Sequence, residues 1–418
     1  MKHSFVLAWR ALVRGHVLSL LLVATVFAHL LLPSLVRSDG TAAGWREMYI
    51  RAVTGATYAV TAVAVLACAC GAFAQERERF RLSLTVVRPA SAFGVACGKW
   101  LALCAVAAVA YVLTAALTWA RMPEAPPCRH RSAPALPPAV ETARGMMADY
   151  LANPKTPEAV KKAPRAAVLR LLTNKERERY DVVRPGERQA WPFPAELARE
   201  TNLVVRVRFA TQFDLRSPLA GTFTLGGLSA AVSNNTQSVI EVGLKGTGKN
   251  GGDGTADLRF ENTGGEVVML RPRRDLEVLA PADSFGANLA RAVVQMLVAT
   301  AVLAAFGLFL SSALSRPVAL FTAFAALAVA LMAPSVILQF PDELETTLAN
   351  RMGLTVARGV HLLTATAGEA EPVSNLATGA CIEWKDILKG VLVNAVLLPA
   401  GLLGLACLLY TSPSPRDQ

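Results

Sequence analysis

Charge is the first thing this chain lacks. Asp, Glu, Lys and Arg make up 17% of its 418 residues, against 53% apolar residues. A soluble globular domain of ordinary make-up carries about 25% charged residues. Much of this chain is therefore suited to lipid. What charge there is leans basic, for a formal +11 at pH 7. The excess does not point to nucleic acid. There is no zinc-finger spacing, no aromatic platform and no isolated basic helix, and the basic residues crowd the edges of apolar runs.

Metal and catalytic patterns are missing as well. Cys68 and Cys70 lie in one apolar run, with Cys97 and Cys104 in or beside the next. Those four read as small apolar fillers of membrane helices. Cys128 and Cys381 fall outside the runs. A disulfide between them is open in an oxidising compartment, although their separation in space is not set by sequence. The five His (His3, His16, His29, His130, His361) are scattered. No Ser/His/Asp or Cys/His set can be assembled. No acidic residue lies inside an apolar run, which weakens a proton- or sodium-driven transporter. His29 is the one ionisable group in the first run; it stands near the end of that run, before Pro33, where an interfacial role is as open as a functional one.

Nor is there an intact phosphate loop. Residues 243–250, GLKGTGKN, come near the pattern, but Asn250 stands where a hydroxyl residue must reach Mg²⁺. The sequence NGGDGTADLRF that continues it reads as a turn into a strand. A glycine-rich hairpin is expected there, and no cofactor site on this chain. The sequon Asn234-Asn235-Thr236 is a common chance match.

What the chain does have is six apolar runs of spanning length, at 17–36, 52–74, 98–120, 292–314, 317–338 and 388–406. Before the first, residues 1–16 place Phe5, Trp9 and Leu12 at helical spacing opposite Lys2, Arg10 and Arg14, as in an interfacial helix. Residues 407–417, CLLYTSPSPRD, look like a translated sequencing adapter. Native sequence is expected to end near Ala406, which truncates the sixth span, and 407–418 is expected to be non-native.

The positive-inside rule orients the runs. The basic N-terminus is expected inside, 37–51 outside, 75–99 inside and 121–291 outside. Ser315-Arg316 forms a tight inside turn, and 339–387 is an outside or re-entrant segment. The domain 121–291 opens on a Pro-rich spacer, 122–138. A helical part, 139–183, follows; Thr156-Pro157-Glu158 is its helix start and Pro164 its break. From 202 to 277 the period changes to two: Val205, Val207 and Phe209 alternate with Arg206 and Arg208, and Ala256, Leu258 and Phe260 with Asp257 and Arg259. Antiparallel strands in a sheet or sandwich are expected.

The segment 75–99, QERERFRLSLTVVRPASAFGVACGK, joins two runs and holds five Lys/Arg against two Glu. Written as a helix from Glu76 to Arg88, it sets Phe80, Leu84 and Val87 on one stripe and Arg77, Arg81 and Arg88 on another. Arg88 precedes Pro89, where a helix usually ends, and Gly98-Lys99 opens the next run. Such a helix can seat its apolar stripe in a partner's groove while its arginines meet acidic residues. On spacing alone, an ordinary basic loop that only fixes topology is as good a reading.

The order of these parts resembles the permease subunits of type-2 ABC transporters. The N-terminal interfacial helix, the six spans and the tight turn Ser315-Arg316-Pro317 agree, over about half the chain. Arg79-Phe80-Arg81 and Ala92 depart from the family's loose motif. The resemblance implies that Glu76, Arg77, Phe80, Arg81, Leu84, Arg88, Pro89, Gly98 and Lys99 form the coupling element that docks on a nucleotide-binding ATPase. It implies a second permease, as a homodimer or heterodimer. ATP and Mg would sit on the ATPase and none on this chain.

The expected fold is thus an α-helical membrane protein with six transmembrane helices and an extracytoplasmic α+β domain holding an antiparallel sheet or sandwich. The expected location is a bacterial cytoplasmic membrane, with the N-terminus cytoplasmic and the outer domain available to a periplasmic partner. The expected function is transport, in an export or envelope role, with no catalysis by this chain. The competing expectation is a membrane-anchored extracytoplasmic binding or receptor protein.

Overall fold

The computed structural model describes residues 1–35, 42–78, 91–122, 125–200, 202–210, 218–234, 239–246, 255–339, 352–353, 355 and 371–411. The helices begin with α1 (Lys2–Arg14), α2 (Val17–Leu35), α3 (Ala42–Ala72), α4 (Ala74–Glu78) and α5 (Ala92–Arg121). Next come α6 (Ala139–Ala152), α7 (Glu158–Lys161), α8 (Arg165–Arg177) and α9 (Pro272–Asp275). The chain then forms α10 (Phe285–Ala313), α11 (Arg316–Gln339), α12 (Pro372–Ala377), α13 (Trp384–Gly390), a π-helical stretch Val391–Leu397, and α14 (Leu398–Thr411). Two compact units emerge: Met1–Cys128 with Asp283–Gln339 and Thr347–Gln418, and Arg129–Ala282 with Phe340–Thr346.

The first unit is a helix bundle. Among the described residues, five helical stretches are long and apolar enough to cross a membrane: Val17–Leu35, Gly44–Glu76, Ala92–Arg121, Phe285–Ala313 and Trp384–Leu409. The expected fifth run forms α11, in which Arg316–Met332 is the apolar stretch among the described residues. Apolar side chains such as Phe27, Leu30, Phe321, Leu331 and Leu392 point outward and stay exposed. Inside, small residues bring backbones together, as membrane helices commonly do. A Cβ on Gly307 of α10 would stand 2.6 Å from Ala69 Cβ on α3.

The helices overrun the expected spans. α3 begins near residue 42 where a loop to 51 was expected, because Tyr49 and Ile50 are buried while Arg51 pairs along the helix with Glu47 at 3.1 Å. α5 starts at Ala92, where the Ser91 hydroxyl accepts from Gly94 N at 3.1 Å. α10 starts at Phe285, capped by Ser284 through Ala287 N at 3.2 Å. Its early polar residues, Asn288 and Arg291, read as lying outside the apolar run, yet both are buried. The expected turn Ser315-Arg316 is Leu314-Ser315, since Arg316 already belongs to α11. The π-helical stretch lies just before Pro399, which has no N–H and whose ring clashes with the carbonyl four residues back.

Among the described residues, the second unit and its edges hold eleven strands, β1 (Cys128–Ser132), β2 (Asp181–Val183), β3 (Arg188–Pro194), β4 (Val204–Arg208), β5 (Leu219–Leu225), β6 (Leu228–Asn234), β7 (Val239–Gly243), β8 (Lys245–Gly246), β9 (Thr255–Asn262), β10 (Val268–Leu270) and β11 (Leu276–Asp283). They form three sheets, ordered β1-β11-β4-β7, β3-β9-β5-β6-β8 and β10-β2. The two-residue period holds: Val205 and Val207 are fully buried on β4, and Val205 faces Val242 of β7 and Val278 of β11. Phe223 of β5 faces Phe260 of β9, with Phe209 stacked beside them. Gly221 makes room for that cluster, since a Cβ there would come within 2.3 Å of the Phe260 ring.

Several boundaries move. The spacer 122–138 contains β1, and Ala135 N donates to Pro192 O at 2.7 Å, so this stretch is built into the unit. After β1, strands run from Asp181 to Asp283, outside the expected 202–277 at both ends. Pro192 and Pro194 hid β3, an edge strand where a missing N–H is tolerated. The helical part is three helices. Pro157 and Pro164 are the N-cap residues of α7 and α8, while the Thr156 hydroxyl donates back to Tyr150 O at 2.6 Å. The start of the glycine-rich stretch 243–250 is strand: Lys245-Gly246 pairs with Leu228-Ser229, and the rest lies outside the described residues, as do 235–238 and most of 339–370.

Candidate functional site

Two of the nine residues expected to form a coupling element meet directly. Lys99 sits in the second turn of α5 and Glu76 on the short helix α4. Lys99 Nζ lies 2.6 Å from Glu76 Oε2 and donates to Ala72 O at 2.9 Å. The ammonium also stands 4.1 Å from the centroid of the Phe73 ring. Lys99 is 9% exposed, so these partners replace most of its hydration. Ala72 is the last residue of α3, where unpaired carbonyls favour a cation.

Gly98, the neighbour of Lys99, has a separate task. A Cβ at Gly98 would lie 2.7 Å from Ser4 Cβ and 2.8 Å from Phe5 N. Only glycine lets α1 cross α5 this closely. On α1, Phe5 stacks on Trp9 at 6.3 Å and Leu12 packs against the bundle core. The expected amphipathic helix is thus seated on α5 at the turn that carries Lys99.

α11 reaches the same end of the bundle. Cys70 Sγ donates to Ala319 O at 3.7 Å, and a Cβ on Gly71 would stand 3.5 Å from Arg316 Nε. The end of α3, α4, and the starts of α5 and α11 therefore converge there. Arg77 lies in α4, and nothing is described of its side chain. Phe80, Arg81, Leu84, Arg88 and Pro89 lie in 79–90, outside the described residues. What is visible is the pair of anchors on which that segment hangs, closed on each other by one ion pair.

His29 belongs to α2. It is buried within the bundle, and its Nδ1 donates to Thr25 O at 2.9 Å. A carbonyl only accepts, so that nitrogen carries the proton and Nε2 accepts from the Thr118 hydroxyl at 3.4 Å. This pins α2 to α5. A second polar tie, Tyr111 hydroxyl to Thr300 Oγ1 at 2.7 Å, pins α5 to α10. Sequence reasoning missed both, because isolated Thr and Tyr in apolar runs carry no signal of their partners.

The second unit has a recess of its own, about 250 Å³ in volume and lined by Glu176, Arg179, Asp181, Gln189, Trp191 and Arg273 among others. Trp191 Nε1 donates to Asp181 Oδ2 at 2.8 Å, and Arg179 pairs with Glu176 at 3.3 Å and Asp181 at 3.7 Å. Among the described residues, no group of three His, Cys, Asp or Glu could hold a metal ion.

No family model, curated protein or solved structure matches the chain.

Proposed function

We propose that the chain is the permease subunit of an ATP-driven type-2 ABC transporter in a bacterial cytoplasmic membrane, exporting a substrate or acting on the envelope. The observation that carries the reading is the Glu76–Lys99 ion pair at the flanks of 79–90. A docking segment that transmits motion must be anchored so that a push on it moves helices. Here one flank ends α3–α4 and the other opens α5, and the pair joins them. α1, seated on Gly98, adds a third element to the same joint.

In this proposal Phe80 and Leu84 enter a groove of a cytosolic ATPase, and Arg77, Arg81 and Arg88 meet its acidic rim. ATP and Mg belong to that partner. Closure of two ATPases moves 79–90, and with it α3 and α5, in each of two permease copies or related chains. The β-rich unit stands outside the membrane, open to a periplasmic partner.

Co-purification tests this. The full chain is extracted in mild detergent, and associated proteins are identified by mass spectrometry and nucleotide hydrolysis. Recovery of a soluble protein with an intact phosphate loop supports the proposal. The double substitution Phe80→Asp, Leu84→Asp should abolish that recovery while leaving membrane insertion unchanged. Retained association would remove the docking assignment.

The recess in the second unit favours a second reading, a membrane-anchored binding protein without transport. Its mixed charges suit a polar ligand. That reading needs no ATPase, so the same experiment separates the two.

A further inference from the structure

Cys128 and Cys381 are distant in sequence and adjacent in space. Cys128 is buried at the start of β1, beside β11, whose last residue Asp283 pairs with the same Arg291 that reaches the Cys381 sulfur. The Cys381 thiol is the near neighbour of Cys128. Cys381 is half-buried, and Arg291 Nη1 lies 3.4 Å from its sulfur.

The surroundings hold the two sulfurs in register. Asn288 of α10 grips the chain on both sides of Cys381: its Nδ2 donates to Ala380 O at 2.9 Å, and its Oδ1 accepts from Ile382 N at 2.9 Å. Arg291, one turn on, donates to Ile382 O at 3.3 Å and pairs with the Asp283 carboxylate. Gly379, at φ +70°, turns the chain so that Ala380 N reaches Asn375 O at 2.8 Å. The same α10 side chains therefore hold the backbone on both sides of Cys381 and the carboxylate of Asp283, at the end of the strand beside β1. Two Cys serving only as apolar filler would have no need of each other or of a polar frame.

We propose that Cys128 and Cys381 form an intramolecular disulfide, which ties the segment before α13 to the chain leaving α5. The bond would close a loop of roughly 250 residues, the long-loop case in which a cross-link most restrains the unfolded chain. The oxidant is a disulfide of low molecular weight or on a protein. Cys381, the more accessible sulfur, loses its proton and attacks one sulfur of the oxidant, expelling the first thiol and leaving a mixed disulfide. Cys128 then loses its proton, attacks the Cys381 sulfur and expels the second thiol. Two protein thiols become one disulfide, and one oxidant disulfide becomes two thiols. Burial, and then the neighbouring thiol, push the Cys128 thiol up. Buried beside the more accessible Cys381, it is placed as the second attacker. The inference stands apart from the transport reading.

The test uses the full chain, reduced, in lipid nanodiscs. It is incubated with glutathione disulfide, denatured, alkylated with N-ethylmaleimide and mapped by mass spectrometry without reduction. The expected result is one linked peptide pair, Cys128 with Cys381, lost on adding dithiothreitol and matched by faster migration on a non-reducing gel. Cys128→Ser should lose the link and leave Cys381 carrying glutathione. The proposal is overturned by a wild-type chain in which both thiols are alkylated, in which Cys381 carries glutathione while Cys128 is alkylated, or in which either sulfur is linked to another cysteine.

Discussion

Lys99 and Glu76 meet at 2.6 Å across 23 residues of sequence, the ammonium of one helix start against the carboxylate of a short helix that follows another. Their exposures differ: the Lys99 side chain is 11% accessible and that of Glu76 is 32%. The lysine is thus the more dependent partner. Removing the carboxylate leaves a mostly buried cation with a carbonyl and a ring.

Glu76→Gln is therefore expected to lower stability by about 1–3 kcal/mol, between the cost of breaking a buried pair and that of a surface one. The double substitution Glu76→Gln, Lys99→Met should recover part of that loss, since no uncompensated charge remains. Thermal unfolding of the detergent-solubilised chain checks both. A double variant worse than Glu76→Gln alone would show that Lys99 is held chiefly by Ala72 and Phe73.

Gly98→Ala is expected to lift α1 from α5, because the new methyl would stand 2.7 Å from Ser4 Cβ and 2.8 Å from a backbone nitrogen. The cost should be about 1–3 kcal/mol, as for other overpacked contacts. Gly401→Ala is the control: nothing lies within 4 Å of its Cβ position. It should be neutral or slightly stabilising through helix propensity. Proteolysis within residues 1–16 reads the difference, with faster cleavage expected for Gly98→Ala only.

Thr118→Val removes the hydroxyl that His29 Nε2 accepts. The expected loss is about 0.6–1 kcal/mol, the usual worth of such a bond between membrane helices. His29→Gln, which can still bond Thr118, should cost less than His29→Leu. Unfolding midpoints in one detergent decide the order.

In the β-rich unit, Gly221→Ala is expected to be as harmful as truncating the ring it would strike. Its methyl would meet Phe260 at 2.3 Å, in a cluster where the Phe223 and Phe260 centroids are 4.7 Å apart. Phe260→Ala should cost about 3–5 kcal/mol. Limited proteolysis within 181–283 should accelerate comparably in both variants.

The features legible in sequence were those with a period. Apolar runs gave the helices, and alternation at Val205, Val207, Leu258 and Phe260 marked β4 and β9. Edges were legible only where chemistry was local. Ser284 caps a helix whose first turns carry Asn288 and Arg291, so hydropathy alone started it late, and the start of α5 behind Ser91 was read as part of the loop 75–99. β3 was lost to its two prolines, which only an edge position excuses. At the candidate site, sequence singled out Gly98 and Lys99 by their place after Arg-Pro, but Gly98's tie to α1 and Lys99's to Glu76 depend on helix packing. His29 was noticed but its partner was not, since Thr118 lies 89 positions away. That Cys128 and Cys381 are neighbours was beyond reach of spacing for the same reason.

The most direct test of the central claim is photo-cross-linking from position 80. A photoreactive phenylalanine analogue replaces Phe80 in the full chain, and cells are irradiated. The expected result is a covalent adduct with a soluble protein that carries an intact phosphate loop, lost when Leu84→Asp is added. If the correctly inserted chain gives no protein adduct, or only adducts with proteins lacking a nucleotide site, the docking assignment and the transport reading built on it are contradicted.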